Sequence, residues 1–295
     1  MIASALSGAL FEANAAQTNL WSAPAIRFTV LLLAVILQLV LIKAAPNLSV
    51  WFAIAMFLAG VPHGAVEYIP NEKDGTRAWR KPSLFYCAIY VLIGAVAFGF
   101  YHIAPVIGLC AFLALSALHF GAEETHIKSL GIFVILGSLA LYPSLTLIIF
   151  DVLSDQTSFS SIPLWTAQIA GLISLGVVAF ESILKKREYA RTIAIVSIFI
   201  ILPPIQAVAI YFLFFHSLDS FNAQTADHTL PSEKISSYPV YIILAALAGA
   251  SVLIGATYLG YISLPIAAAM AIGFTVPHLI NALKFQAFAA SPNLY

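Results

Sequence analysis

The stretch RFTVLLLAVILQLVLIK, from Arg27 to Lys43, holds no charge between its two basic ends, and it decides the class of fold. With its flanks it has the length of an apolar helix that crosses a bilayer, which takes roughly 20 residues. The rest of the chain has the same character, since 61% of the 295 residues are hydrophobic and 9% are charged. A water-soluble domain has about 25% charged residues. The sequence therefore predicts an all-α fold, a polytopic transmembrane helical bundle, and its net charge of zero argues against nucleic acid as a partner.

Further apolar runs, each bounded by charge, Pro or Gly, follow this stretch. Together they predict about ten spans, near 25–43, 49–69, 83–102, 104–120, 130–150, 163–184, 190–202, 204–221, 238–258 and 262–285. The seventh run is short and ends at Pro203-Pro204, so it is interpreted as a tilted span, a re-entrant segment or the first half of a kinked helix. We expect one bundle over residues 25–285, with an N-terminal segment 1–24 and a C-terminal tail 286–295.

Basic residues predict the orientation in the membrane, because Lys and Arg in short loops favour the cytoplasmic side. In the ten-span arrangement every Lys and Arg except Lys43 falls on the side of the N-terminus. That side is predicted to be cytoplasmic. Both termini are then inside, and the chain is a multi-pass protein of the cell membrane.

Four histidines lie near the ends of apolar runs: His63, His119, His216 and His278. In the ten-span arrangement their spans all run from outside to inside, so the four rings are expected at one depth in the cytoplasmic half. Titratable rings are costly at membrane depth, and neutral imidazole is the commonest protein ligand for redox-active first-row metals. The pattern indicates a metal site. The remaining histidines are interpreted as structural: His102, His126 and His228.

Two of these histidines are followed by a carboxylate one helical turn later. Glu67 comes four residues after His63, and Glu123 comes four residues after His119. Residues i and i+4 share a helix face, and such a carboxylate can accept the second ring N–H of a ligating imidazole. Glu67 and Glu123 are therefore predicted to orient the two ligands. Pro277, directly before His278, is expected to free backbone groups where a cofactor must fit.

In these motifs the sequence resembles the Brp/Blh family of membrane β-carotene dioxygenases, over most of the chain from about His63 to Asn281. Four elements carry the resemblance in order. They are Pro62-His63-Gly-Ala-Val-Glu67 for the family's Pro-His-Gly-x-x-Asp, His119-Phe-Gly-Ala-Glu123-Glu124 for His-Phe-Gly-x-Glu-Asp, His216-Ser-Leu-Asp219-Ser220 for His-Ser-x-x-x-His, and Thr275-Val-Pro-His278 for Thr-x-Pro-His.

The resemblance implies an enzyme that holds Fe(2+) and uses O2 to cleave the central double bond of β-carotene into two molecules of retinal. It carries His63, His119 and His216 over as iron ligands. The family's fourth ligand would stand at Ser220, and Asp219 stands where the family has a basic residue. Either His278 or a water completes the ligand set, or Glu67 or Glu123 binds the metal directly, or this member has altered or lost its activity.

The implied substrate is an apolar polyene that dissolves in membrane lipid, so an intramembrane site can take it laterally from the bilayer. Four aromatic residues are candidate polyene contacts: Phe120, Tyr211, Phe215 and Phe221. Because the implied product is retinal, a retinal-binding opsin is a candidate partner. Two other readings stay open as well. One is a non-catalytic family member that binds carotenoid or assists retinal-protein assembly, and the other is a proton-linked transporter with a relay of buried His and Glu.

Overall fold

The computed structural model describes residues 24–60, 84–123, 127–185, 189–220 and 238–289. Every regular element in these residues is helical, which confirms the predicted all-α class. The described residues form eleven α-helices: α1 Pro24–Ala44, α2 Pro46–Gly60, α3 Leu84–Ile103, α4 Pro105–Glu123, α5 Leu130–Leu136, α6 Pro143–Ser154, α7 Leu164–Lys185, α8 Tyr189–Ile201, α9 Pro204–Tyr211, α10 Tyr238–Tyr258 and α11 Leu264–Ala289. A 3₁₀ turn, Gly137–Ala140, follows α5, and a π-helical segment, Phe212–Ser217, follows α9.

Among the described residues, four helices are long and apolar enough to cross a membrane. They are Ile26–Ala44, Pro105–Glu123, Leu164–Lys185 and Leu264–Leu283. Apolar side chains on their surfaces support contact with lipid, since Phe28 and Leu33 on α1 are 63% and 59% exposed. The predicted count of about ten spans is not confirmed, because the described helices provide four, or five if α5 and α6 form one broken span.

The predicted span 130–150 is wrong as a single straight helix. It consists of α5 with its 3₁₀ turn and of α6, and the two parts are bent by 111°. Pro143 begins α6 and cannot continue the preceding helix, because it has no N–H and its ring blocks the previous turn. On α7, Gly171 lets the backbone come against Ala140, and the Gln168 side chain donates to the Ala140 carbonyl oxygen at 3.1 Å. Packing against α7 therefore stabilises the break.

Proline also separates the predicted seventh and eighth runs. The seventh run forms α8, a 13-residue helix that ends at Ile201. The next helix, α9, begins at Pro204, as is typical of proline at a first helical position. The two runs are thus separate helices with a break of two residues.

By their contacts the helices form two compact units. Among the described residues, the first unit holds 24–60, 209–220 and 238–250, and the second holds 84–123, 127–185, 189–208 and 251–289. In the first unit α1 and α2 share a buried polar pair, in which the Ser49 hydroxyl donates to Gln38 Oε1 at 2.8 Å. The second unit has an apolar core that includes Tyr101, Leu109 and Ile272. The prediction of one bundle over 25–285 stays a prediction.

Candidate metal centre

The second unit brings two of the predicted metal ligands together. His119 on α4 is 0% exposed, and His278 on α11 is 8% exposed. Their ring centroids are 5.2 Å apart with the rings edge to face, and a ring nitrogen of each lies within 4.8 Å of one on the other. Two buried imidazoles at this separation are within reach of a common metal ion.

Close backbone packing fixes the turn of α4 that carries His119. A Cβ added at Gly121 would lie 2.5 Å from the Lys128 carbonyl oxygen, and a Cβ added at Gly131 on α5 would collide with the Ala117 carbonyl oxygen. Only glycine at both positions lets α4 and α5 touch backbone to backbone. Since Ala117 and Gly121 lie two residues before and after His119, this contact fixes the helix on both sides of the ligand. Gly121 belongs to the motif in which the resemblance was found, and its role there is steric.

Glu123 lies beside the His119 ring, as expected for residues one turn apart. Its Oε1 is 3.6 Å from His119 Nε2, which is longer than an ordinary hydrogen bond of about 2.7–3.2 Å. The carboxylate is 24% exposed while the ring is fully buried. Glu123 is thus placed between the buried imidazole and the surface of the unit, and its orienting role stays a prediction.

His278 follows a proline inside a continuous helix. The α11 helix runs to Ala289, well past the predicted end at residue 285, so His278 lies in its interior. Pro277 has no N–H to donate to the carbonyl oxygen of Gly273, four residues earlier. At that carbonyl the α3 helix approaches, and a Cβ added at Gly94 would lie 2.7 Å from the Gly273 oxygen. The freed carbonyl is therefore covered by a glycine of a neighbouring helix.

A second contact from α3 strengthens the same turn. The Tyr90 hydroxyl donates to the carbonyl oxygen of Phe274 at 3.3 Å. Together with Gly94, Tyr90 holds the turn of α11 that directly precedes His278. The sequence indicated that Pro277 would free backbone groups, but it gave no signal for the helix that covers them.

The third predicted ligand in the described residues, His216, belongs to the first unit. It is 4% exposed and lies in the π-helical segment, with its ring 5.4 Å from that of Phe212. A π-helical turn is rare and often occurs at a functional site. The π turn was not predicted, because an apolar run with aromatic residues at many positions has no periodicity that distinguishes a π turn from an α-helix.

The α2 helix packs closely on this segment. Phe57 stacks on Phe212 with ring centroids 4.3 Å apart and an interplanar angle of 9°. A Cβ added at Gly60 would lie 2.6 Å from Phe212 Cε1 and 2.7 Å from Ser217 Oγ. Gly60 is therefore required for this approach, and along the chain it precedes His63 by three residues.

A basic side chain of α1 also holds the segment. Arg27 Nη2 donates to the Phe214 carbonyl oxygen at 3.2 Å and forms an ion pair with the Asp219 carboxylate. Both charged side chains are partly buried, at 28% and 29% exposure. From the sequence, Arg27 was interpreted only as one of the basic residues on the cytoplasmic side, so this contact is a finding of the structure.

A family model for beta-carotene 15,15'-dioxygenase matches residues 54–283, a range that includes all four predicted ligands. The chain belongs to the beta-carotene 15,15'-dioxygenase family. This confirms the resemblance seen in the motifs. No curated protein and no solved structure matches the chain.

The structure describes some of the remaining predicted site residues, and the others lie outside the described residues. Phe120 is half-buried, and its ring lies 5.6 Å from that of its neighbour His119. Tyr211 is buried and stacks with Phe215, with centroids 6.3 Å apart. Ser220, the position of the fourth ligand that the resemblance implies, is half-buried and ends the helical stretch that holds His216. Three predicted residues lie outside the described residues: His63, Glu67 and Phe221.

Proposed function

We propose that this protein is an iron-dependent intramembrane carotenoid dioxygenase, which cleaves the central double bond of β-carotene with O2 to give two retinals. One observation carries the proposal. In a chain of the beta-carotene 15,15'-dioxygenase family, His119 and His278 lie buried ring to ring in a largely apolar unit.

The proposed ligands are His119 and His278, completed by His63 and His216. His216 is buried on a π turn, and Gly60, three residues before His63, packs against that turn. Neutral imidazoles are suitable ligands for Fe(2+), and a set made only of them leaves the charge of the ion uncompensated. When bound, Fe(2+) would supply the redox chemistry by which O2 attacks a double bond. In this proposal His278 takes the role that Ser220 cannot fill.

Glu123 would fix the tautomer of His119. Its carboxylate faces Nε2, so we propose that Nε2 carries the ring proton and that Nδ1 is left to bind the metal. Oε1 would need to move about 0.5 Å closer to Nε2 to come within ordinary hydrogen-bond distance. This arrangement makes the buried ring a stronger electron donor and prevents its rotation.

The chain would bind the polyene through apolar contacts. β-Carotene has no polar group, so recognition depends on shape and on aromatic surface. Phe120 is the proposed polyene contact beside His119. Three more aromatic residues are proposed as polyene contacts because of their apolar ring surfaces: the stacked pair Tyr211 and Phe215, and Phe221. Because His119 is completely buried, we expect the protein to keep water away from this ring. The proposed location is the cell membrane with both termini in the cytoplasm, and the retinal product would serve an opsin.

Expression in a bacterial host that makes β-carotene tests the proposal. Wild type should yield retinal, with iron retained on the purified protein, whereas His119→Ala and His278→Ala should lose both. The matched control is His102→Ala, because His102 is exposed on α3 and its ring lies against Phe98. An absence of retinal and of iron in well-folded wild-type protein would overturn the proposal.

The Ser220 substitution favours a second candidate, a non-catalytic member that binds carotenoid. In the same experiment such a protein would copurify with intact β-carotene and would yield no retinal. Proton flux in sealed vesicles, independent of iron, would instead support the transporter reading.

A further inference from the structure

In the first unit, the α1 helix contributes a charged side chain to the segment that carries His216. Arg27 Nη2 donates to the carbonyl oxygen of Phe214, two residues before His216, and pairs with the carboxylate of Asp219, three residues after it. Burying even part of a charge pair between two apolar helices costs free energy, so such a pair seldom occurs without a role. Arg27 thus contacts the segment on both sides of the histidine.

The first of these contacts compensates for the π turn. In an α-helix the N–H of Leu218 would donate to the Phe214 carbonyl, four residues earlier. Here it donates to the Leu213 carbonyl, five residues earlier, as a π turn requires. The Phe214 carbonyl therefore loses its α-helical donor, and the Arg27 guanidinium supplies another. A planar guanidinium can serve a carbonyl and a carboxylate at once, which an ammonium group does less well.

We propose that Arg27 is a positioning residue, which together with Asp219 holds the π turn and so sets the direction of the His216 ring. The inference rests on the proposed function, because the direction of the His216 ring matters only if His216 is an iron ligand. If the π turn became an α-helical turn, its backbone hydrogen bonds would join residues four apart instead of five apart. The side chains that follow would then be rotated about the helix axis by up to about 100°. Without Arg27, His216 would point elsewhere.

Metal binding by purified full-length protein tests the inference. The variants are Arg27→Gln, Arg27→Lys, Asp219→Asn, the single changes Arg27→Asp and Asp219→Arg, and the charge swap that combines these last two. Lys43→Gln is the matched control, because Lys43 is exposed near the other end of the same helix. Each protein is loaded with Fe(2+) to measure affinity, and with Co(2+), whose visible absorption bands report the ligand geometry.

Arg27→Gln should weaken metal binding by about 10–100-fold, as is typical when a group that orients a ligand is removed. It should also change the Co(2+) bands while the melting temperature stays close to that of wild type. Arg27→Lys should restore part of the affinity, and the charge swap should restore more than either of its single changes. Lys43→Gln should match wild type.

Wild-type affinity and wild-type Co(2+) bands in both Arg27→Gln and Asp219→Asn would overturn the inference. If Arg27→Gln does not fold, Arg27→Lys and Asp219→Asn carry the same test. Failure of the proposed function would give a different result. Wild type itself would then bind neither Fe(2+) nor Co(2+), and His119→Ala would change nothing. That result would overturn the inference together with the proposed function. If wild type binds metal and His119→Ala loses it, while Arg27 and Asp219 variants keep it unchanged, only the inference is wrong.

Discussion

Two regions of the molecule hold candidate ligands in different ways. His119 and His278 lie on regular α-helices whose neighbours touch them backbone to backbone at Gly121, Gly131 and Gly94. His216 lies on a π turn, which aromatic stacking and a charged side chain stabilise. In the first region glycines let neighbouring backbones touch, whereas in the second Gly60 makes room for the Phe212 side chain and the contacts are made by large side chains. The first region should therefore be sensitive to added volume, and the second should be sensitive to lost side-chain contacts as well.

The largest expected effect tests whether both regions serve one iron ion. His216→Ala should reduce retinal formation as severely as His278→Ala, by more than about 100-fold, because each removes an imidazole ligand and even the loss of a group that orients a ligand costs 10–100-fold. The double variant should be no worse than either single variant, since residues that act as a unit are not additive. Retinal is measured by chromatography of host extracts. If His216→Ala keeps wild-type activity while His278→Ala is inactive, the two regions do not share a function.

Added volume at the α4–α5 contact should destabilise the first region. Gly131→Ala places a Cβ against the Ala117 carbonyl and the Gly121 backbone, which cannot move as the tip of a side chain can. We expect a loss of about 1–3 kcal/mol in unfolding free energy, as for other overpacked positions, measured by thermal or denaturant unfolding in detergent. Gly176→Ala is the control, because a Cβ there has no neighbour within 4 Å. Equal stability of the two variants would show that the close contact is not required.

A smaller effect is expected at the carboxylate beside His119. Glu123→Gln keeps the shape but removes the charge that stabilises the Nε2 proton, so iron affinity should fall about 10-fold. The measurement is iron retention under competition with a chelator, at constant melting temperature. Glu123→Asp should recover part of the affinity. Unchanged retention in Glu123→Gln would remove Glu123 from the site.

The smallest effect is expected at Ser220, next to the π turn. If His278 completes the ligand set, Ser220→His should change iron content and retinal yield little. A large gain from Ser220→His would show instead that the fourth position is incomplete in wild type and that His278 only lies nearby. Iron per chain and retinal yield, measured side by side, separate these outcomes.

The bounds of several helices were predictable from the sequence. The run predicted at 238–258 forms α10, Tyr238–Tyr258, and the run predicted at 25–43 forms α1, Pro24–Ala44, because charge and proline bound both runs. The His119 helix also lies where its run predicted, from Pro105. The positions of the histidines near the ends of apolar runs were enough to select His119 and His278 among four candidate ligands, but not to show that these two rings lie side by side.

The π turn and the bend between α5 and α6 were not predictable in this way. Both have contacts between residues far apart in the chain, Arg27 with Phe214 at the π turn and Gln168 with Ala140 at the bend. An apolar run has no polar face whose period would show a change of helix type. The count of about ten spans is not confirmed among the described residues for a related reason, since apolar runs alone do not show where a helix breaks or bends.

The most direct test of the central claim is the iron content of purified wild type and His278→Ala, measured by elemental analysis with His102→Ala as control. The account predicts about one iron per chain in wild type and in His102→Ala, as for a mononuclear site, and almost none in His278→Ala. Equal iron in all three proteins, or no iron in a well-folded wild type, would contradict the claim that His119 and His278 hold the metal.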